Sequence, residues 1–172
     1  MNVKPKRKRV QAEDCKVPII LVVEDEKDNL LLLSHILIHL NYNFITATKG
    51  KDALDLATNY QVDLVLLDLI LPDINGFELI DRFKKNSLTQ NMPIVAVSAL
   101  VRKRERDRAM AAGCDDYLYK PYLIEDLQQK IEKHLPQPFW KHSFSQLMKF
   151  KSNFWGKPLI STMPQSSIFG RT

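Results

Sequence analysis

Six polar residues follow apolar runs of strand character in this sequence: Glu24, Asp25, Glu26, Asp68, Ser98 and Lys120. Carboxylates gathered at one place repel one another and raise each other's pKa unless a cation lies among them. Mg²⁺ prefers such oxygen ligands and typically takes one or two carboxylates together with waters and phosphate oxygens. Because a serine hydroxyl and a lysine ammonium can both hold an anion, the whole set suits the handling of a phosphoryl group.

The run from Val62 to Asp68, VDLVLLD, is the clearest of these apolar runs. It is short, has strand character and delivers one aspartate at its carboxyl end. Ligands of open α/β sheets bind in the crevice beyond the carboxyl ends of the strands. Taken alone, Asp68 could simply close a strand, but the polar groups at the other three strand ends favour a site.

The elements that must position these groups alternate between strand and helix patterns. Short apolar runs predict strands at residues 19–23, 43–46, 62–68, 93–97 and 117–118. Apolar residues at helical spacing predict helices at residues 29–40, 50–59, 77–85, 101–112 and 123–134. Asp28 is the predicted N-cap of the first helix, and Gly113 is the predicted end of the fourth.

This alternation predicts an α/β fold in which five helices cover both faces of a parallel sheet, because right-handed crossovers place helices on each side. We predict a flavodoxin-like, doubly wound, five-stranded sheet with strand order 2-1-3-4-5 and a switch point between strands 1 and 3. In that order the residues after strands 1 and 3 become neighbours. The residues after strands 4 and 5 then lie close beside them.

Charge is distributed unevenly along the 172 residues, which carry a formal net charge of +5. Residues 1–16 have a net charge of +4 and residues 136–172 one of +5, so residues 17–135 have a net charge of −4. An acidic domain thus lies between two basic tails. Since an argument for nucleic-acid binding would depend on the tails alone, we predict no specific nucleic-acid binding.

Cysteine use and hydropathy indicate the compartment. Cys15 and Cys114 lie far apart and form no CxxC or Cys/His cluster, so the sequence suggests neither a disulfide framework nor a cysteine metal site. No segment approaches the roughly 18 consecutive apolar residues that a membrane-spanning helix needs. The basic N-terminus has no apolar segment behind it, as a signal peptide would. We therefore predict a cytoplasmic location.

Four motifs occur in an order and at a spacing that resemble the receiver domain of two-component response regulators. They are VVEDE, LVLLDLILPDINGFEL, PIVAVSAL and GCDDYLYKPY. The resemblance extends over residues 18 to about 135. It implies that Asp68 is the phosphoacceptor and that the domain serves in phosphorelay signal transduction.

The resemblance also implies roles for the other residues of the site. Mg²⁺ would be held by Glu24, Asp25, Asp68 and the backbone carbonyl of Ile70. Ser98 and Lys120 would contact the phosphoryl group, and Tyr117 would be the switch aromatic whose ring turns inward as the Ser98 hydroxyl moves. Receivers of this type have a cis Lys-Pro bond, here between Lys120 and Pro121, which would aim the lysine inward.

Two residues depart from the commonest receiver pattern without loss of chemistry. Glu24 stands where many receivers have Asp and Ser98 where Thr is common, and each keeps the oxygen ligand or hydroxyl. Ile70 and Leu100 flank the site with apolar side chains. Because neither positions a hydrolytic water, we predict that the phosphorylated protein persists beyond a few seconds.

The resemblance implies a phosphohistidine donor on a sensor histidine kinase or histidine phosphotransfer protein, since the chain has no P-loop and few glycines. None of its own four histidines has the context of a kinase phosphohistidine. The predicted chemistry is autocatalysed phosphoryl acceptance with slow self-dephosphorylation, and the protein is not otherwise predicted to be an enzyme. A downstream protein target is implied, and helix 4, strand 5 and helix 5 could form a homodimer.

Helix 4 is strongly basic, with five arginine or lysine residues against two acids between residues 102 and 108. A solvated charged face is the simplest explanation. An acidic partner or a second receiver is the functional alternative.

Two other classes of protein remain as alternatives. A haloacid dehalogenase-like phosphohydrolase also uses a nucleophilic Asp and Mg²⁺, but that family places a DxD motif after strand 1, where this chain has EDE. A flavodoxin would bind a flavin phosphate at its first loop, where Glu24 and Asp25 would repel it.

The tails show no recognisable output domain. Residues 1–17 form a basic tail that we predict to be disordered, residues 18–135 the receiver, and residues 136–172 a basic, aromatic tail. Within that tail, Trp140, Phe144, Leu147 and Met148 fall at helical spacing. This stretch could contact a membrane surface or a partner, but we favour packing or disorder.

Overall fold

The computed structural model describes residues 17–135, and all structural statements below refer to those residues. Five strands and five helices alternate along them. The strands are β1 (Ile19–Val23), β2 (Asn43–Ala47), β3 (Leu64–Leu67), β4 (Ile94–Ser98) and β5 (Asp116–Tyr119). The helices are α1 (Lys27–His39), α2 (Gly50–Asn59), α3 (Gly76–Lys85), α4 (Lys103–Ala111) and α5 (Ile124–His134). The predictions for both tails, including those for Cys15 and the stretch around Trp140, lie outside the described residues.

The five strands form one parallel sheet in the order β2-β1-β3-β4-β5, which confirms the predicted doubly wound fold. Val23, the last residue of β1, pairs with Ala47 on one side and with Leu67 on the other. The next residues along β1 and β3 are Glu24 and Asp68. Because the strands run in register to one edge, both acids leave the sheet at the same place.

Each face of the sheet contributes to a separate hydrophobic cluster, which explains why the strands are continuous apolar runs. Leu21 and Val23 of β1 pack on the side of α2 and α3. Ile20 and Val22 of the same strand pack on the side of α1 and α5. The alternation of side chains along a strand sends neighbouring residues into opposite clusters.

The helices differ in how much they contribute to these clusters. Helix α3 buries five of its ten residues, whereas the nine residues of α4 bury only Ala109. The Arg108 guanidinium lies 4.3 Å from the centre of the Phe77 ring and links α4 to α3. Gly113 follows α4 with a φ of 104°, the left-handed conformation expected of the glycine that ends a helix.

Several boundaries differ from the sequence predictions. Helix α1 begins at Lys27, so Asp28 lies in its first turn and the prediction that it is the N-cap was wrong. An acid in the first turn is still favourable there, because it faces the positive end of the helix dipole. The sequence predicts Ser98 just after the fourth strand, but Ser98 is the last residue of β4.

Within residues 17–135, the structure contains no helix with the length and apolar character that a bilayer crossing requires.

Candidate functional site

Lys120 joins two buried carboxylates at the carboxyl edge of the sheet. Its Nζ lies 2.6 Å from Oε2 of Glu24 and 2.6 Å from Oδ2 of Asp68. Glu24 is 2% exposed and Asp68 7%. The peptide bond between Lys120 and Pro121 is cis. The structure therefore brings together three of the residues that the sequence placed at separate strand ends.

Backbone hydrogen bonds hold these three residues in line with the sheet. The amide of Asp68 donates to the carbonyl of Val23 at 2.9 Å, and that of Glu24 donates to Ala47 at 3.0 Å. The amide of Lys120 donates to the carbonyl of Ser98 at 2.9 Å. Each bond extends the parallel ladder by one step, so the positions of these residues follow from the strand register.

Charge decides the protonation of Lys120. Burial by itself lowers the pKa of this ammonium, but hydrogen bonds from it to Asp68 and Glu24, and their negative charges, raise the pKa above its ordinary value. The stabilisation from this raised pKa is fully present below the ordinary lysine value and is lost only as the pH rises through the folded-state value. Lys120 is therefore charged throughout the neutral range.

The second oxygen of each carboxylate accepts a different donor. Oε1 of Glu24 accepts a hydrogen bond from Nδ2 of Asn29 at 3.1 Å, and Oδ1 of Asp68 accepts one from the amide of Ile70 at 2.9 Å. Sequence reasoning missed Asn29, because its only signal is a place in the first turn of α1. The Ile70 side chain is exposed.

Asp25 adds a third carboxylate at this edge, since it directly follows Glu24. It is exposed, and the hydrogen bonds and ion pairs within residues 17–135 include none from its side chain. Three carboxylates against one ammonium leave a local excess of two negative charges. No group of three or more His, Cys, Asp or Glu side chains in the described part of the chain forms a ready-made metal cage.

This oxygen-rich, negatively charged donor set nevertheless fits magnesium. Mg²⁺ keeps several waters and binds proteins through one or two carboxylates, so it does not require a cage of three side chains. One divalent cation would also neutralise the excess of two negative charges. Glu24, Asp25 and Asp68 are thus suited to hold it, with the carbonyl of Ile70 on the same loop as Asp68.

Ser98 and Tyr117 lie beside these acids and share a partner. Ser98 is fully buried, and its Oγ accepts a long hydrogen bond of 3.4 Å from the amide of Leu100. The Tyr117 hydroxyl donates to the carbonyl of Leu100 at 2.7 Å. Burial is the main cause that raises the pKa of Tyr117. With 5% of its surface exposed, the tyrosine ring lies inside the fold.

Comparison with known proteins identifies the family. Residues 20–132 match the response regulator receiver domain. The response regulator ArlR of Staphylococcus aureus is 38% identical over 112 residues, which are 65% of this chain and 50% of that protein. A probable cyclic di-GMP phosphodiesterase of Vibrio cholerae serotype O1 is 32% identical over 123 residues, which are 72% of this chain and 28% of that protein. The chain thus spans half or less of the length of these curated relatives.

A solved structure agrees with the family match. The receiver domain of sensor histidine kinase PA1611 from Pseudomonas aeruginosa PAO1 has a TM-score of 0.65 at 27% identity, and the match covers 69% of this chain and 98% of that one. That structure has a magnesium ion coordinated in its active site cleft. The family match gives no support to the haloacid dehalogenase-like alternative, since receiver domains are generally signalling domains and not enzymes. The chain belongs to the response regulator receiver domain family of two-component signal transduction.

Proposed function

We propose that Asp68 accepts a phosphoryl group from a phosphohistidine on a sensor histidine kinase or histidine phosphotransfer protein. The observation that supports this proposal most directly is the contact of Lys120 with both Asp68 and Glu24 at 2.6 Å. These contacts bring the Asp68 carboxylate, a second acid and a positive charge together at one edge of the sheet. Phosphoryl transfer depends mainly on such positioning and on compensation of charge.

The proposed step conserves charge and atoms. A carboxylate oxygen of Asp68 attacks the phosphorus, and the bond between phosphorus and the histidine nitrogen of the donor breaks. The leaving imidazole keeps the electron pair and takes up a proton from solvent, while Asp68 becomes an acyl phosphate. The ammonium of Lys120, already beside the attacking carboxylate, stabilises the charge on the phosphoryl oxygens.

Glu24, Asp25, Asp68 and the backbone carbonyl of Ile70 would hold Mg²⁺ in this proposal. When bound, the ion supplies positive charge that offsets the phosphoryl oxygens and aligns them with the nucleophile. Asn29 keeps Oε1 of Glu24 oriented, and the Lys120 ammonium bridges Oε2 of Glu24 and Oδ2 of Asp68.

Ser98 and Tyr117 are the proposed switch. Because Ser98 is buried next to the site and Tyr117 is bonded to the carbonyl of Leu100, movement of the Ser98 hydroxyl toward a phosphoryl oxygen would change the surroundings of the ring. A new charge acts at a distance only by biasing an element with two arrangements. Helix α4 is a candidate for this element, because it buries only Ala109 and the other four helices each bury more residues.

The proposed partners follow from this arrangement. The downstream target is a protein, and its docking surface, or that of a second receiver in a homodimer, is formed by α4, β5 and α5. We propose residues 18–135 as the receiver, with basic tails over residues 1–17 and 136–172.

Incubation of the full chain with Mg²⁺ and acetyl phosphate tests the proposal. Intact-mass measurement should show the gain of one phosphoryl group in the wild type and in Asp55→Ala, a control at an exposed aspartate of α2, but none in Asp68→Ala. Removal of Mg²⁺ by a chelator should abolish the gain. Absence of the adduct from the wild type would contradict the proposal, and steady release of phosphate would favour a hydrolase.

The lifetime of the adduct is a second test. Ile70 and Leu100 bring no side-chain acid or amide to the site, so nothing at these positions orients a water for attack on the acyl phosphate. We expect the phosphorylated protein to persist beyond a few seconds after removal of the donor. Decay within that time, followed by intact mass after rapid desalting, would show that the apolar flank does not protect it.

A further inference from the structure

We propose that Asp73 is a positioning residue that fixes the loop bearing Asp68 and Ile70 against the loop bearing Glu24 and Asp25, and so preforms the metal site. This inference rests on the proposed function. Asp73 itself touches none of the reacting groups and acts through the backbone.

The contacts of Asp73 carry the first step. Its Oδ1 accepts a hydrogen bond from the amide of Gly50 at 2.9 Å, and its Oδ2 accepts one from the amide of Lys51 at 3.0 Å. These amides belong to the first turn of α2, and Lys49 at the N-cap position makes no side-chain cap. A residue 22 positions away along the chain therefore caps α2.

Glycine permits this close approach. A Cβ atom at Gly50 would overlap Cγ2 of Ile74, the neighbour of Asp73. Burial raises the pKa of Asp73, but the amides of Gly50 and Lys51 lower it more, so that the pKa lies below its ordinary value. The carboxylate is thus charged at neutral pH and suited to the positive end of α2.

The segment of residues 47–51, to which Asp73 is hydrogen-bonded, is also hydrogen-bonded to the loop that bears Glu24 and Asp25. The carbonyl of Ala47, three residues before Gly50, accepts the amide of Glu24 at 3.0 Å. Residues 47–51 therefore hold the backbone of Glu24 through one hydrogen bond and the Asp68 loop through two. This segment is therefore connected to both loops, and Asp73 is the side chain that connects it to the loop of Asp68.

The loop has a second attachment, because the amide of Gly76 donates to the carbonyl of Leu69 at 3.1 Å. On either side of Ile70 the loop is held at Leu69 and at Asp73, whereas the amide of Ile70 itself donates to the Asp68 carboxylate. The carbonyl of Ile70, a proposed ligand, lies between these points. Loss of the Asp73 attachment would let this carbonyl move relative to Glu24 and Asp25, which would weaken metal binding.

Calorimetric titration of the full, unphosphorylated chain with Mg²⁺ alone tests the inference, beside thermal melting of each variant. Asp73→Ala should raise the dissociation constant for Mg²⁺ by at most about tenfold, because Asp73 acts through the backbone and loss of a direct outer-shell partner costs about tenfold or more. The dissociation constant of Asp73→Asn, which can accept from one amide only, should lie between those of the wild type and Asp73→Ala. Asp63→Ala is the matched control, because Asp63 also accepts a backbone amide, that of Ile19 at 2.9 Å, at the opposite edge of the sheet.

The results separate two kinds of failure. If Asp73→Ala melts earlier but binds Mg²⁺ as the wild type and Asp63→Ala do, Asp73 is a structural cap only and the inference is overturned. If Asp73→Ala does not fold, Asp73→Asn decides, and wild-type affinity there also overturns it. Absence of Mg²⁺ binding from the wild type would instead remove the proposed function, and the inference with it.

Discussion

Two buried aspartates lie at opposite edges of the same sheet, where the strands end and begin, and they differ in the charges that surround them. Asp68, beyond the end of β3, shares one ammonium with Glu24. Asp116, the first residue of β5, lies among basic side chains of α5: Lys130 and Lys133 lie 2.6 and 2.8 Å from its carboxylate oxygens, and Nε2 of His134 lies at 3.3 Å. They are almost equally buried, at 7% and 9% exposure.

Because their burial is nearly equal, charge balance and not burial distinguishes Asp68, the proposed phosphoacceptor, from Asp116. Burial raises the pKa of Asp116, but hydrogen bonds from Lys130 and Lys133 lower it far more, so the pKa falls well below its ordinary value. Its oxygens accept hydrogen bonds from Lys130, Lys133 and the amide of Tyr117. At the other edge negative charge exceeds positive charge, and this leaves room for a metal ion and an incoming phosphoryl group.

Replacement of Asp68 by asparagine should change phosphoryl acceptance most strongly, in contrast to the same replacement of Asp116. Asp68→Asn should lose phosphoryl acceptance completely, because an amide oxygen is not a nucleophile of the required strength, while it keeps its fold. Asp116→Asn should be phosphorylated by acetyl phosphate like the wild type. Intact-mass spectra of both variants check this, and a phosphorylated Asp68→Asn would break the comparison.

The lysines provide the second contrast. Lys120→Met should slow phosphorylation about a hundredfold, as expected when one charged donor to a transition state is removed. Because the ammonium no longer competes for Asp68 and Glu24, the dissociation constant for Mg²⁺ should fall. Lys130→Met at the other edge should change neither quantity. Rates from acetyl phosphate and a calorimetric Mg²⁺ titration measure both, and weaker Mg²⁺ binding in Lys120→Met would refute the competition.

The free energy of unfolding should depend more on the buried Asp116 than on an exposed aspartate. Asp116→Asn leaves three basic groups around a neutral side chain, so we expect it to lower the free energy of unfolding by about 2 to 3 kcal/mol at neutral pH. Asp81→Asn is the control, because Asp81 pairs with Lys85 on the exposed face of α3, where such pairs contribute about 0.5 kcal/mol or less. Urea denaturation measures both. Equal effects would mean that the Asp116 cluster adds nothing special.

The smallest effect is a dependence on acid. Since the folded-state pKa of Asp116 is lowered, its stabilisation is present above its ordinary pKa of 3.8 and is lost as the pH falls toward the folded-state value. The difference in unfolding free energy between wild type and Asp116→Asn should therefore shrink as the pH falls from about 5 to below about 4. A difference that persists unchanged in acid would contradict the assignment.

The fold and the strand ends of the site could be read from the sequence because they depend on local patterns. Apolar runs gave β1, helical spacing gave α2 with its correct limits, and parallel order then placed Glu24 beside Asp68. The N-cap of α1 could not be read, since Asp28 suits the first turn as well as the cap. The competition between these two positions is settled by packing, which a local pattern does not contain.

Contacts between distant segments were the part that sequence reasoning missed. No sequence pattern singled out Asp73, although its carboxylate caps a helix that begins 23 residues earlier. Asp116 gave no signal either, because its three basic partners lie on α5 and become neighbours only when that helix packs on the sheet. Such partners are set by tertiary structure and not by spacing.

The single core side chain of α4 has a consequence for how this domain can diversify. Substitutions over most of that helix alter its surface without opening a cavity, so they should leave the folding equilibrium nearly unchanged. The surface charges of α4 can therefore change in evolution, while Ala109 and the stacking of Arg108 on Phe77 keep the helix in place. We expect new recognition properties to arise there by single steps that the remainder of the molecule tolerates.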